Sequence, residues 1–181
     1  MERIRPIKYR PDWSKIPIES IIHQMHDFNI PYDEIRASNP WCTDEEFEAW
    51  LLKNRGSAKN PVTYTKILRV APQKTAFPEL NKIFETFKPE RLNFTLLAEG
   101  TGYPPHRDVH RRANINFIAP APERGDIVVE DTKYTWDRFV LDPSVKHAVQ
   151  SVPCTRFTMM ASWNDKSYEE ICEQLESDGW L

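Results

Sequence analysis

Residues 91–108 read RLNFTLLAEGTGYPPHRD, and residues 139–163 read FVLDPSVKHAVQSVPCTRFTMMASW. Both are built from short apolar runs rich in β-branched and aromatic residues, and Gly, Pro and Asp close each run. Between them, ANINFIAP (113–120) and GDIVVED (125–131) have the same character. Many short strands at regular intervals, with no long helical periodicity among them, are the mark of a closed antiparallel β-fold. The expectation is a mainly β chain with flanking helices, its core a jelly roll spanning 91–163.

Outward from that core the patterns turn helical. Ile18–Phe28 carries Ile21, Ile22, Met25 and Phe28 at helical spacing. Thr43-Asp44-Glu45-Glu46 reads as a capping box opening a helix through Lys53, with Phe47, Trp50 and Leu51 on one face. Val62–Ala71 reads as a strand and Phe77–Phe87 as a helix. Ser167-Tyr168-Glu169-Glu170 is a second capping box, opening a closing helix through Asp178. A length of 181 residues suits one domain. Within it, 1–90 is expected as helix-rich support, 91–163 as the core and 164–181 as a C-terminal helix. No internal repeat or low-complexity stretch is visible.

Composition removes several classes. A net charge of −3 gives no electrostatic case for nucleic acid. Basic clusters stand at Arg3–Arg10 and Arg107–Arg112; the second either rims a site for an anion or is a solvated loop. Cys42, Cys154 and Cys172 are far apart and form no CxxC, which argues against a zinc ribbon or a secreted disulfide framework. The opening MERIRPIKYRPDWSK has no apolar h-region, and no apolar run is long enough to span a membrane. Reduced thiols and a cytoplasmic setting are expected, with no membrane partner.

The chemistry concentrates in His106-Arg107-Asp108 and His147, 39 residues beyond Asp108, with Arg156 nine residues further on. On an extended strand, residues i and i+2 share a face, so His106 and Asp108 can reach one ion. Pro104 and Pro105 favour extended backbone just upstream. Two imidazoles and one carboxylate on one face of an octahedron are the donor set of non-haem Fe(II) oxygenases. His-x-Asp alone is common, and His-Arg-Asp also occurs in protein kinase catalytic loops. That reading fails here: Ala113 stands where the kinase asparagine belongs, and neither Asp-Phe-Gly nor a glycine-rich loop is present. Arg156 suits a buried carboxylate, because a planar guanidinium matches it bidentately where an ammonium cannot. His23 and His26, three apart, are expected on one helical face without a third ligand. His110 continues the alternation as a fourth donor or, preferably, an exposed loop residue. Trp41, Trp50, Trp136 and Trp163 are expected in the core.

With these motifs in view, residues 91–163 resemble the Fe(II)/2-oxoglutarate-dependent dioxygenases, most specifically in 139–163. The resemblance implies a double-stranded β-helix, the cupin-like form of jelly roll, and Fe(II) ligation by His106, Asp108 and His147. It implies 2-oxoglutarate as co-substrate, its 5-carboxylate on Arg156 with Thr158 as a hydroxyl helper. Asn93 and Thr95 fall where the family often has Asn-x-Tyr, Thr95 replacing the tyrosine; Asn114 and Asn116 fall where polar residues often face the co-substrate. The implied activity is hydroxylation of an amino acid, peptide or small molecule by dioxygen, with release of succinate and CO2. Members resembling prolyl hydroxylases commonly have lysine at the anchor, so Arg156 leans towards aspartyl/asparaginyl-hydroxylase-like or small-molecule members. Related halogenases have a small residue in place of Asp108, so its carboxylate favours hydroxylation. Two alternatives stay open: a cupin-like metalloenzyme that does not use 2-oxoglutarate, and a non-catalytic jelly-roll binding module.

Overall fold

The structure is a computed structural model, and it describes residues 2–28, 43, 45, 49, 65–71, 75–100, 102–108, 110–122, 125–150 and 154–181. Eleven strands form two antiparallel sheets among the described residues. They are β1 (Ile4–Pro6), β2 (His26–Phe28), β3 (Thr65–Val70), β4 (Arg91–Leu97), β5 (Tyr103–His106), β6 (Ala113–Ile118), β7 (Ile127–Val129), β8 (Thr132–Tyr134), β9 (Arg138–Leu141), β10 (His147–Val149) and β11 (Arg156–Trp163). The large sheet runs β1-β9-β6-β11-β4-β3-β2 and the small one β5-β10-β7-β8. Two antiparallel sheets with strands passing from one to the other make the expected jelly roll. Three of the seven large-sheet strands come from before residue 91, so the β-structure begins earlier than the 91–163 run suggested.

Period-two alternation sorts the large sheet into two faces. On β11, Phe157, Met159, Ala161 and Trp163 enter one core cluster, together with Leu92 and Phe94 of β4 and Ala113, Ile115 and Phe117 of β6. Among the described residues, Ile21 of the short helix Ile18–Gln24 joins this cluster, and two longer helices cover it. The first, Pro78–Phe87, buries Leu80, Ile83 and Phe87; the second, Tyr168–Ser177, buries Tyr168, Ile171, Cys172 and Leu175. Both sets follow the i, i+3, i+4, i+7 spacing of a helix stripe. The alternate residues of the same strands point to the other side, towards the small sheet. There Ile118, Ile127, Val129, Phe139 and Leu141 form a second, smaller apolar cluster.

The capping box at Ser167 forms as expected: its side chain accepts from Glu170 N at 3.2 Å, and Glu170 Oε2 accepts from Ser167 N at 2.6 Å. The Phe77–Phe87 pattern gives the helix Pro78–Phe87, with Phe77 as its N-cap. Within the expected strand Val62–Ala71, Thr65–Val70 is strand, and 62–64 lie outside the described residues. The expected helix over Ile18–Phe28 is a correction. The helix spans only Ile18–Gln24, Met25 turns extended, and His26–Phe28 pairs with β3 as the sheet's last strand. Edge pairing satisfies backbone groups that a further helical turn would have satisfied internally, so apolar spacing alone could not decide between them. His23 and His26 therefore do not share a helical face, and both are exposed. The helix read from the Thr43 capping box falls almost wholly outside the described residues, as do Cys42, Trp41 and Trp50. Trp163 is fully buried and Trp136 packs on the second cluster. Cys172 is a free thiol.

Candidate metal centre and its cavity

The small sheet sets the two histidines against each other. β10 pairs with β5 so that His147 lies directly opposite His106, and the two rings stand 4.1 Å apart by centroid. The register slips between His147 and Val149, placing an extra residue on the β5 side. Such bulges re-aim side chains beside functional sites. Pro104 and Pro105 are tolerated because β5 is an edge strand, where missing N–H donors cost no ladder bond. The strand ends at His106, so Asp108 reaches the site from just beyond it, its backbone N–H bonded to Pro143 O at 2.8 Å.

The ligand atoms of His106, Asp108 and His147 all lie within 4.8 Å of one another. His106 Nε2 stands 3.8 Å from Asp108 Oδ1. Neighbouring donors about 2.0–2.2 Å from one first-row ion stand roughly 3 Å apart, so this pair would have to close by about 1 Å to share one. The partners behind the donors are also in place. His147 Nδ1 faces Val145 O at 2.9 Å; donating there fixes the tautomer that leaves Nε2 as the lone-pair nitrogen. Burial pushes the His147 pKa down, which keeps the ring neutral as a ligand must be. Arg111 Nη1 holds Asp108 Oδ2 at 2.9 Å, leaving Oδ1 on the histidine side. Burial works to raise the Asp108 pKa, but Arg111, the two histidines and a hydrogen bond from Asn114 outweigh it and hold the carboxyl below its ordinary range. The Tyr103 ring packs on His106 at 4.4 Å, and burial, aided by Asp108, pushes its hydroxyl pKa up to about 12.

The triad opens on a cavity of about 270 Å³ between the sheets. Its large-sheet wall carries Arg156, Thr158 and Met160 of β11, Asn93, Thr95 and Leu97 of β4, and Asn114 and Asn116 of β6. The nine residues that the resemblance implied as metal ligands or co-substrate contacts thus line one cavity. Arg156 is 3 % exposed; burial lowers its pKa to about 10, with the Asp126 carboxylate acting against that shift. Thr95 pairs directly across from Thr158. Asn93 donates to Ser162 Oγ at 2.7 Å. The basic run 107–112 divides: Arg111 turns in towards Asp108, while Arg107 and Arg112 are exposed, and so is His110.

Several lining residues were missed in the sequence: Arg69 of β3, Tyr103, Arg111 and Met160. The period-two phase of β11 could have found Met160, two residues beyond Thr158. Arg69 gave no signal, because nothing in the run Thr65–Val70 marks which face looks inward.

No family model matches the chain, and no curated protein matches it. Among solved structures, a Pseudomonas putida prolyl-4-hydroxylase is similar at 14% identity and a TM-score of 0.48, over 78% of this chain and 92% of that one. A 2OG-Fe(II) oxygenase family oxidoreductase from Burkholderia pseudomallei is similar at 12% identity and a TM-score of 0.43, over 68% and 82%. Likenesses this distant transfer no residue role to this chain, and what the cavity can do is decided by its own atoms.

Proposed function

We propose that this chain is an Fe(II)- and 2-oxoglutarate-dependent oxygenase that hydroxylates a C–H bond of an organic substrate. One observation carries the reading: a two-histidine, one-carboxylate donor set and a deeply buried guanidinium line the same cavity. A buried guanidinium with Thr158 and Thr95 near it suits an anionic ligand, because its planar fork matches a carboxylate bidentately. His106, Asp108 and His147 would hold the metal, Asp108 through Oδ1 while Arg111 keeps Oδ2. Arg156 would bind the distal carboxylate of 2-oxoglutarate, with the hydroxyls of Thr158 and Thr95 beside it. Leu97, Ile127 and Val149 form apolar parts of the wall and limit water around the reacting groups. When bound, Fe(II) with 2-oxoglutarate and dioxygen supplies the oxidising chemistry, and the protein supplies binding and orientation.

Anaerobic titration of the Fe(II) protein with 2-oxoglutarate, followed by the metal-to-ligand charge-transfer absorbance, tests this. Arg156→Lys keeps the charge but loses the fork and should bind more weakly than wild type. Arg156→Ala removes a charge-assisted pair worth roughly 1.5–3 kcal/mol, so it should bind about tenfold to a hundredfold more weakly. Wild-type affinity in Arg156→Ala would move the anchor elsewhere. Metal binding without any succinate formation would favour the cupin-like metalloenzyme, and absence of metal binding the non-catalytic module.

A further inference from the structure

The inner face of the large sheet is polar at two separate levels. Arg156 and Thr158 mark one. The other is a row perpendicular to the strands: Arg69 pairs with Asn93, Asn93 with Met160, and Met160 with Asn116. Met160 lies four residues along β11 from Arg156, about 13 Å at 3.3 Å per residue. It is also beside the metal centre, for Arg111 Nη1, which holds Asp108, lies 3.1 Å from Met160 Sδ. This row therefore sits at the level of the triad, two residues along β11 beyond Thr158 and four beyond Arg156.

Its polar groups are built in and only partly used. Asn93 and Asn116 are 1 % and 5 % exposed, and both line the cavity. Asn93 spends its amide nitrogen on Ser162 and keeps Oδ1 without a partner; Asn116 Nδ2 is likewise without one. Buried polar atoms are rarely left so, and each lost hydrogen bond inside a protein disfavours the state that lacks it. Arg69 lines the same cavity from β3 and makes no ion pair among the described residues. Along the row stand a cation, then one strand away (about 4.8 Å) an acceptor, and two strands further a donor.

From that order we infer that the second substrate is a small α-amino or α-hydroxy acid whose side chain carries a hydrogen-bond acceptor. Its carboxylate pairs with Arg69, its α-amino or α-hydroxyl group donates to Asn93 Oδ1, and its side-chain acceptor accepts a hydrogen bond from Asn116 Nδ2. The cavity volume of about 270 Å³ suits a small ligand rather than an extended one. The inference rests on the oxygenase reading for the chemistry done, but the binding assignment stands apart from it.

The test is binding, read as the thermal midpoint and by calorimetry, with Mn(II) in place of Fe(II) and 2-oxoglutarate present. The probes are the twenty free amino acids and their 2-hydroxy counterparts, which separate the two sources of the donor. At least one with a polar side chain should raise the midpoint, and its carboxamide form should bind at least tenfold more weakly. Arg69→Ala, at an exposed position, should lose at least tenfold in affinity for the acid, and Arg69→Gln should behave likewise. Asn116→Leu should lose affinity for the acceptor-bearing acid but not for its aliphatic analogue. The assignment is overturned if no acid binds, if acid and carboxamide bind alike, or if both Arg69 variants bind as wild type does. If an acid binds in this pattern while 2-oxoglutarate does not bind at all, the substrate assignment holds and the oxygenase reading falls.

Discussion

At the scale of single residues, the proposed metal centre would depend on side chains that never touch the metal. Asn114 is 1 % exposed and donates to the Asp108 carboxylate. It is neutral, so removing it changes orientation without adding or removing charge near the ion. Loss of such supporting hydrogen bonds typically costs about 10- to 100-fold in metal affinity. Asn114→Ala should accordingly bind Mn(II) at least tenfold more weakly in an equilibrium titration, with its circular dichroism unchanged; wild-type affinity would deny Asn114 any positioning role. His147 gives a pH signature. Its folded pKa lies below its unfolded value of about 6.5, because burial penalises the charged ring. Between the two values the unfolded chain binds the proton and the folded chain does not. Stability of the metal-free protein should therefore rise with pH through that window and level off above about 6.5. Urea unfolding at a series of pH values would show this slope for wild type and a shallower one for His147→Asn. Equal slopes would mean that the folded protein protonates His147 as readily as the unfolded chain does.

At the scale of elements, legibility followed how local the determining physics is. The helix Tyr168–Ser177 was readable because a capping box and an apolar stripe act within a few residues. Ser167→Ala removes the cap on Glu170 N and should cost about 1 kcal/mol, within roughly 0.5–2. Chemical denaturation would check it, and an unchanged midpoint would mean the helix is held by its buried face alone. The strands carrying His106, His147 and Arg156 were readable for a similar reason, each a bounded run whose alternation fixes a face. What could not be read were the non-local choices. His26–Phe28 has helix-compatible spacing but joins an edge of the sheet by pairing with Thr65–Val70, residues some forty positions away. Arg69 faces the cavity because of the register between β3 and β4, and register is a property of two strands together. The slip in β5 that brings Tyr103 onto His106 likewise exists only once β10 lies alongside.

At the scale of the whole molecule, the cavity couples the two sheets. The small sheet supplies both histidines, and the large sheet supplies Arg156. A ligand that touches both walls binds only when the sheets are docked, so it must stabilise the folded chain. With one site and ligand at about 100 times its Kd, the gain is about 2.7 kcal/mol. For a chain of this size each kcal/mol moves the midpoint by roughly 2–4 °C, so a rise of about 5–11 °C is expected. On the proposed reading, Mn(II) alone would engage mainly the triad, and 2-oxoglutarate alone would have only Arg156 and the hydroxyls near it. Together the anion would be held at both ends, so the joint shift should exceed the sum of the separate ones; such coupling is reciprocal between the two ligands. Scanning calorimetry of wild type, Asp108→Ala and Arg156→Ala separates the contributions. Asp108→Ala should abolish the Mn(II) shift and leave 2-oxoglutarate with at most a small one. Arg156→Ala should keep the Mn(II) shift and lose most of the added gain from 2-oxoglutarate. If the two shifts merely add in wild type, metal and dicarboxylate occupy independent sites, and the cavity does not join them into one.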